Sequence, residues 1–393
     1  MKGKYFTSES VTEGHPDKVA DRISDGVLDE VLKEDPNGRV ACETFVTTGL
    51  VLVGGEITTE AYVDIPGVAR QAVKEVGYVK SEYGFNWEDC AVLTSIDEQS
   101  EDIFQGVSRA QEVRAREKVD NELEALGAGD QGIVYGYACN ETEEKMPLPI
   151  TLAHGLTREL SRVRKKERLP YLRPDGKSQV TIEYEGNQPV RAEAILLAAQ
   201  HDEGVEQNQL RRDLTQEVVE PVVGEWLDDD TGIFVNSSGK FVKGGPPADT
   251  GMTGRKLIVD SYGGYGSHGG GAFSGKDPTK VDRSGSYMAR YVAKNVVAAG
   301  LAQQCEIQVS YAIGKARPLA VTVNTFSTGV VDDIRLQDIV TEIFDFRPAA
   351  IIDKFALKEP IYSPLSCYGH FGREDLNPGW ERVDRVEELR SQA

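Results

Sequence analysis

Gly269-Gly270-Gly271-Ala272-Phe273-Ser274-Gly275-Lys276-Asp277, running on to Lys280, Asp282 and Arg283, is the stretch on which the reading of the fold turns. Three consecutive glycines let the backbone approach a ligand closely, with N–H groups free to point inward. Lys276 and Lys280 bring two cations, and Asp277 and Asp282 two hard oxygen ligands. An apolar run, Leu257 to Val259, precedes the loop, and a helical pattern from about Ser286 to Ala299 follows it. Strand, glycine loop, lysine and helix together predict a polyphosphate cradle. Gly270 to Lys276 fits the first seven positions of a Walker A loop, but Asp277 stands eighth, where that motif needs a Ser or Thr hydroxyl. The prediction is therefore a phosphate loop that is not a P-loop NTPase; the plainer alternative is an ordinary glycine-rich turn.

Outward from the loop, residues 239–283 hold Lys240, Lys243, Arg255, Lys256, Lys276, Lys280 and Arg283 among twelve glycines. The whole chain carries a net charge of −20 over 393 residues, so this cationic segment is an exception that marks an anion site. The same acidity argues against a nucleic-acid partner. Phe241 stands between glycines and cations, where it either joins the core or stacks on a base. With 39% apolar and 27% charged residues the chain reads as globular.

Near the start, Thr7 to Lys18 reads as a polar lead-in, and Pro16 suits the first turn of a helix. Val19, Ile23, Val27 and Val31 then recur every fourth residue, the mark of an amphipathic helix. His15 and Asp17 fall at its N-terminal turn, where anions are favoured: His15 as a donor to phosphate, Asp17 as holder of a shared cation, or both as plain turn residues.

A hairpin-then-helix pattern occurs three times. The hairpins are Val40 to Val53 with Glu56 to Val63, Gln179 to Tyr184 with Val190 to Ala198, and Glu306 to Ile313 with Leu319 to Thr325. The helical segments are Gly67 to Val76, Gln207 to Val223 and Leu336 to Phe344, and a further strand candidate follows each: Cys90 to Ile96, Gly232 to Val235 and Ala349 to Ile352. This predicts an α+β chain of three similar units, each an antiparallel sheet backed by helices. The expected divisions are 1–100, 129–242 and 243–393, with 101–128 as a lid or linker. Within 97–129 the chain is least regular, and 109–126 is highly charged. Gly127-Ala128-Gly129-Asp130-Gln131-Gly132 closes it as a hinge that sets Asp130 against a ligand, or as a solvated joint.

Five cysteines with no C-x-x-C spacing suit reduced thiols. Neither an N-terminal signal pattern nor an apolar run long enough for a membrane helix is evident, so a cytoplasmic location is the expectation.

Together Gly14-His15-Pro16-Asp17-Lys18, Ala41-Cys42-Glu43-Thr44, Val53-Gly54-Gly55-Glu56-Ile57-Thr58, Gly127 to Gly132 and Gly269 to Asp277 resemble the signatures of the bacterial-type methionine adenosyltransferases, over nearly the whole chain. One departure is the segment 108–126, longer and more charged than that family's lid. The resemblance implies a pseudo-threefold α+β fold. It also implies that ATP and L-methionine give S-adenosylmethionine and triphosphate, which the same site cleaves to pyrophosphate and phosphate.

Carried over position by position, the resemblance implies that His15, Lys177, Arg255 and Lys276 are catalytic. The implied ATP contacts are His15, Asp130, Asp175, Lys177, Lys240, Phe241, Asp249, Arg255, Lys256, Ala272 and Lys276. The implied methionine contacts are Glu56, Gln99, Asp249 and Lys280. Two magnesium ions per site would sit on Asp17 and Asp282, and one potassium ion per subunit on Glu43. Cys90 matches a position near the site, with no chemistry assigned. Partners would be ATP, methionine and further copies of the chain, as homodimer or homotetramer with sites at the dimer interface; no nucleic acid and no membrane are expected. A neutral thioether attacking C5′ of the ribose needs no strong base, which suits a sequence rich in cations and without a Ser-His-Asp or Cys-His arrangement. Two other classes remain: a phosphotransferase, which would release ADP, and a nucleotide-binding protein without methionine-dependent turnover.

Overall fold

The computed structural model describes residues 4–100, 110–114 and 122–393. Most of the segment expected as a lid therefore lies outside the described residues. The first element is a strand, β1 (Lys4–Val11), where the sequence reads as a polar lead-in. Its partner explains it: β6 (Leu172–Glu185) runs antiparallel to it, from Lys4 opposite Tyr184 to Val11 opposite Lys177.

Among the described residues three sheets form, and each takes one strand from a different third of the chain. The first orders as β1-β6-β7-β8, with β7 (Gln188–His201) and β8 (Gly232–Val235). The second orders as β4-β3-β2-β9, with β2 (Arg39–Thr47), β3 (Leu50–Thr58), β4 (Ala91–Asp97) and β9 (Gly251–Met252). The third orders as β11-β10-β5, with β5 (Gly132–Cys139), β10 (Gln304–Tyr311) and β11 (Ala320–Asn324). The N-terminal third lends β1 to the central sheet, the central third lends β5 to the C-terminal sheet, and the C-terminal third lends β9 to the N-terminal sheet. That cyclic exchange interlocks the three α+β units. The sheets are mostly antiparallel, but β4 and β8 join their neighbours in parallel.

The second and third expected hairpins are present, but the first turns earlier than expected: β2 and β3 meet at Thr47 and Leu50, so the apolar run Val40 to Val53 holds most of both strands and no turn falls between Val53 and Glu56. The expected helices form as α2 (Ile65–Val76), a helical run opened by α4 (Gln207–Leu214), and α6 (Asp333–Ile343). Two apolar runs expected as strands are helical. Leu257–Asp260 forms one turn, so no strand leads into the glycine loop. Ala349 to Ile352 lies in α7 (Pro348–Phe355), which starts at Pro348 and buries Ile351, Ile352 and Phe355. Runs this short carry no period that separates helix from strand.

Two helices organise the centre. Helix α1 (Pro16–Glu34) packs its valine face against β2. Helix α5 (Val281–Ala298), which begins five residues before the expected Ser286, is buried along almost its entire length and packs on β5 and β10. Gly136 on β5 permits this contact, since a Cβ there would lie 1.9 Å from the carbonyl carbon of Ala289. A second, smaller core lies under β6 and β7 against α3 (Leu148–Lys165) and α4. Among the described residues, no helix is long and apolar enough to cross a membrane.

Candidate active site

His15 is the N-cap of α1, and its Nδ1 accepts from the backbone N–H of Asp17 at 3.2 Å. A Cβ on Gly14 would lie 2.2 Å from the Pro174 carbonyl oxygen, so this turn is pressed against the first residues of β6, which carry Asp175 and Lys177. Burial, with the charges of Lys256 and Lys177, pushes the His15 pKa down to about 3. The imidazole is therefore neutral, and with Nδ1 accepting, its proton sits on Nε2 as a donor.

Asp17 is buried within the same turn. Its Oδ1 accepts from Met252 N at 3.0 Å, and its Oδ2 meets Lys256 Nζ at 2.5 Å, with Arg255 at 3.6 Å from Oδ1. Burial alone would raise its pKa, but Lys256 and the Met252 N–H outweigh that and lower it, keeping the carboxylate ionised. Asp175 is buried, and its Oδ2 accepts from Gly245 N at 2.8 Å while its Oδ1 has no partner among the described residues. Burial raises its pKa to about 6. Asp249 follows on the same turn, its N–H bonded to the Gly245 carbonyl at 3.2 Å. Phe241 is half-buried, its carbonyl accepting from His201 N at 3.0 Å and its N–H donating to His201 Nε2 at 3.2 Å, and Lys240 beside it is exposed. These residues form one cluster.

A second cluster gathers around the glycine loop. Lys276 pairs with Asp282 at 2.6 Å, and a Cβ on Gly271 would meet the Asp282 carboxylate at 2.1 Å. Gly132 at the start of β5 approaches this pair, since a Cβ there would lie 3.2 Å from Asp282 Oδ1, while Asp130 two residues before it is exposed and accepts from Gln131 N at 2.7 Å. The expected hinge at 127–129 is instead clamped, since a Cβ on Gly127 or Gly129 would press on Gly314 or Thr279 backbone at 2.5 and 2.7 Å. Glu56, Gln99 and Lys280 line one cavity of about 410 Å³ with Arg39, Ala41 and Asp97. Glu43 is exposed on β2. Ala272 reaches toward the first cluster, 2.6 Å from where a Gly254 Cβ would stand. Asp277, expected as a hard ligand, is fully buried and spent on Val40 N, Thr279 and Lys280.

β2 relates the two clusters. Along its outer edge Phe45 is opposite Met252, the residue bonded to Asp17, and Ala41 is opposite Lys276. Four residues of strand separate these points, about 13 Å.

A carboxylate ladder on α1 was missed in the sequence. Asp17, Asp21, Asp25 and Asp29 recur every fourth residue on the face opposite the valines. Each accepts a backbone N–H from the C-terminal third: Met252, Gly254, Gly275, and Tyr362 with Ser363, respectively. Asp21 thus fixes the turn before Arg255 and Lys256, and Asp25 fixes the residue before Lys276.

Three matches to known families cover this framework in chain order. Residues 3–101 match the S-adenosylmethionine synthetase N-terminal domain, 125–241 its central domain and 243–382 its C-terminal domain. The chain belongs to the S-adenosylmethionine synthetase family. It is a methionine adenosyltransferase, and it makes S-adenosylmethionine from ATP and methionine. As a family member it has no use for a Walker hydroxyl, and the glycine loop with Asp277 as an internal staple needs none.

Proposed function

We propose that the synthetase reaction runs at a site assembled from the two clusters, each supplied by a different copy of the chain. The observation that carries this is the splitting of both substrate sets. For the phosphates, His15, Lys177, Arg255 and Lys256 lie in the first cluster and Lys276 in the second. For methionine, Glu56, Gln99 and Lys280 line the second cluster's cavity, while Asp249 lies beside Asp175 in the first. The sheet between them supports pairing of copies, because Leu52, Leu93 and Met252 leave 38%, 55% and 39% of their surface exposed on it. A two-fold interface on that face would carry each cluster to its counterpart on the second chain.

In this site the thioether sulfur attacks C5′ and the triphosphate leaves. Lys177, Arg255, Lys256 and Lys276 gather around the charge that develops on the leaving oxygens. Neutral His15 donates its Nε2 proton as a hydrogen bond to the same group. Phe241 stacks on the base, Lys240 stands beside it, and the free Oδ1 of Asp175 accepts from a ribose hydroxyl. Asp130 and Ala272 line the ATP path. Triphosphate is then hydrolysed to pyrophosphate and phosphate against the same cations.

Asp17 and Asp282 would each hold one magnesium ion, and Glu43 a potassium ion. The donor chemistry fits: both aspartates present hard oxygens now paired with a lysine, which can turn to phosphate when a metal takes its place. Among the described residues no three His, Cys, Asp or Glu side chains gather as a metal site. Magnesium commonly fills such a one-carboxylate site with phosphate oxygens and water. When bound, the ions add positive charge beside the triphosphate. Incubation with ATP, methionine, magnesium and potassium is expected to yield the sulfonium by mass spectrometry, with phosphate and pyrophosphate in equal amounts. Release of ADP without sulfonium would overturn the assignment.

A further inference from the structure

One cation in the cavity between β2, β3 and β4 has been given no role. Arg39, at the start of β2, lines that cavity beside Lys280, with its side chain only 19% exposed. Among the described residues its nearest carboxylate is Asp277, at 3.7 Å from Nη1 to Oδ1, beyond hydrogen-bond length. Asp277 has little capacity left for it. Its Oδ1 accepts from Thr279 N and Oγ1 at 3.0 and 2.6 Å, and its Oδ2 accepts from Val40 N at 2.8 Å and from Lys280 Nζ. Among the described residues the Arg39 guanidinium donates no hydrogen bond. A largely buried fork of five donors left idle is costly unless a ligand uses it.

The charges around the cavity are sorted. Arg39 and Lys280 set two positive charges against the single Asp277 carboxylate, so a positive pole remains at this end. Glu56 and Asp97 face each other across the parallel β3–β4 register, both exposed, and with the exposed Glu98 of the same lining they make a negative pole. Gln99 lies between, its N–H held by Thr58 Oγ1 at 2.9 Å. One cationic and one anionic pole in a cavity of about 410 Å³ match an α-amino acid zwitterion.

We infer that Arg39 binds the carboxylate of the amino-acid substrate in a two-pronged contact, and that it makes the enzyme select a free carboxylate over an amide. Asp277 is then a positioning residue that holds Lys280 and screens Arg39 without consuming its donors. This deepens the assignment of the cavity to methionine and rests on that reading.

The test uses the full-length enzyme with Arg39→Met and Arg39→Lys, measuring kcat and KM for methionine and for ATP, and the affinity for methioninamide. R39M should raise the methionine KM roughly 10- to 100-fold, the worth of charge-assisted hydrogen bonds. The ATP KM and kcat should move less than about 3-fold, since the lost contact binds ground and transition states alike. The preference for methionine over methioninamide should collapse in R39M, and R39K should restore only part of it, because an ammonium is a point charge and not a fork. If R39M does not fold, R39K carries the test, and undiminished preference in it overturns the proposal. The proposal also fails if R39M keeps the wild-type methionine KM and preference while Lys280→Met raises the methionine KM. If R39M, K280M and Glu56→Gln all leave the methionine KM unchanged, the cavity itself is not the methionine site, and the proposal falls with it.

Discussion

Lys18 and Lys256 both meet carboxylates near the start of α1, but in opposite settings. Lys18 has no exposure and sits between Asp21 and Asp260. Burial would lower its pKa, but the two carboxylates outweigh that and raise it. Lys256 keeps 20% of its side chain exposed and touches Asp17 from one side. Arg283 with Asp25 and Lys276 with Asp282 repeat the contrast, the first pair wholly buried and the second partly open. A buried pair cannot release a partner without leaving a bare charge in the core. An open pair can exchange its partner for a phosphate or a metal at small cost. Neighbours in one motif, Asp17 and Lys18, thus divide into a residue free to change partners, as the proposed metal site needs, and a structural one.

The largest effect should come from breaking the buried kind. Asp25→Ala strands Arg283 and the Gly275 N–H, and should cost about 3–5 kcal/mol of stability in chemical denaturation. Next, Asp17→Asn should cut sulfonium formation roughly 100-fold or more while shifting stability by no more than about 1 kcal/mol. A stability loss as large as that of Asp25→Ala would place Asp17 with the structural pairs.

A smaller effect concerns His15. Its folded pKa lies near 3 against the ordinary 6.5, so as pH falls below 6.5 the unfolded chain takes up the proton first. Stability should therefore decline from pH 6.5 toward 3. His15→Gln should lessen that slope by up to one proton, about 1.4 kcal/mol per pH unit. An unchanged slope would mean that His15 is charged when folded, and would remove the neutral donor from the mechanism. The smallest effect is at Glu43, exposed on β2: Glu43→Ala should abolish any advantage of potassium over sodium in the turnover rate, and a retained advantage would place that ion elsewhere.

Much of this was legible in the sequence because motifs and periods are local. The glycine loop, the capped start of α1 and the second and third hairpins each announce themselves within a few residues, whereas the first hairpin's tight turn at Thr48-Gly49 hides inside one apolar run. β1 did not, because Lys4 to Val11 is mostly polar and owes its strand to β6, far along the chain. The short runs at Leu257 and Ala349 lacked the length to show a period. The aspartate ladder was present in the sequence at the same spacing as the valines, but carboxylates at that spacing read as a solvated face. Only the packing of C-terminal N–H groups against α1 shows them to be buried acceptors. Asp277 was misjudged for the same reason, since burial decides whether an aspartate faces a ligand or its own loop. That the residues assigned to the substrates fall into two clusters had no trace in motif order at all.

The direct test of the two-copy site is complementation between inactive variants. Lys256→Met disables the first cluster and Lys276→Met the second, and each alone should be nearly inactive. Unfolded together in equal amounts and refolded, half of the resulting dimers should be mixed. If each site takes one cluster from each chain, every mixed dimer keeps one intact site. The mixture should then recover about a quarter of wild-type activity. If both clusters of a site come from a single chain, no intact site can form, and activity that stays at the level of the separate variants would contradict the account.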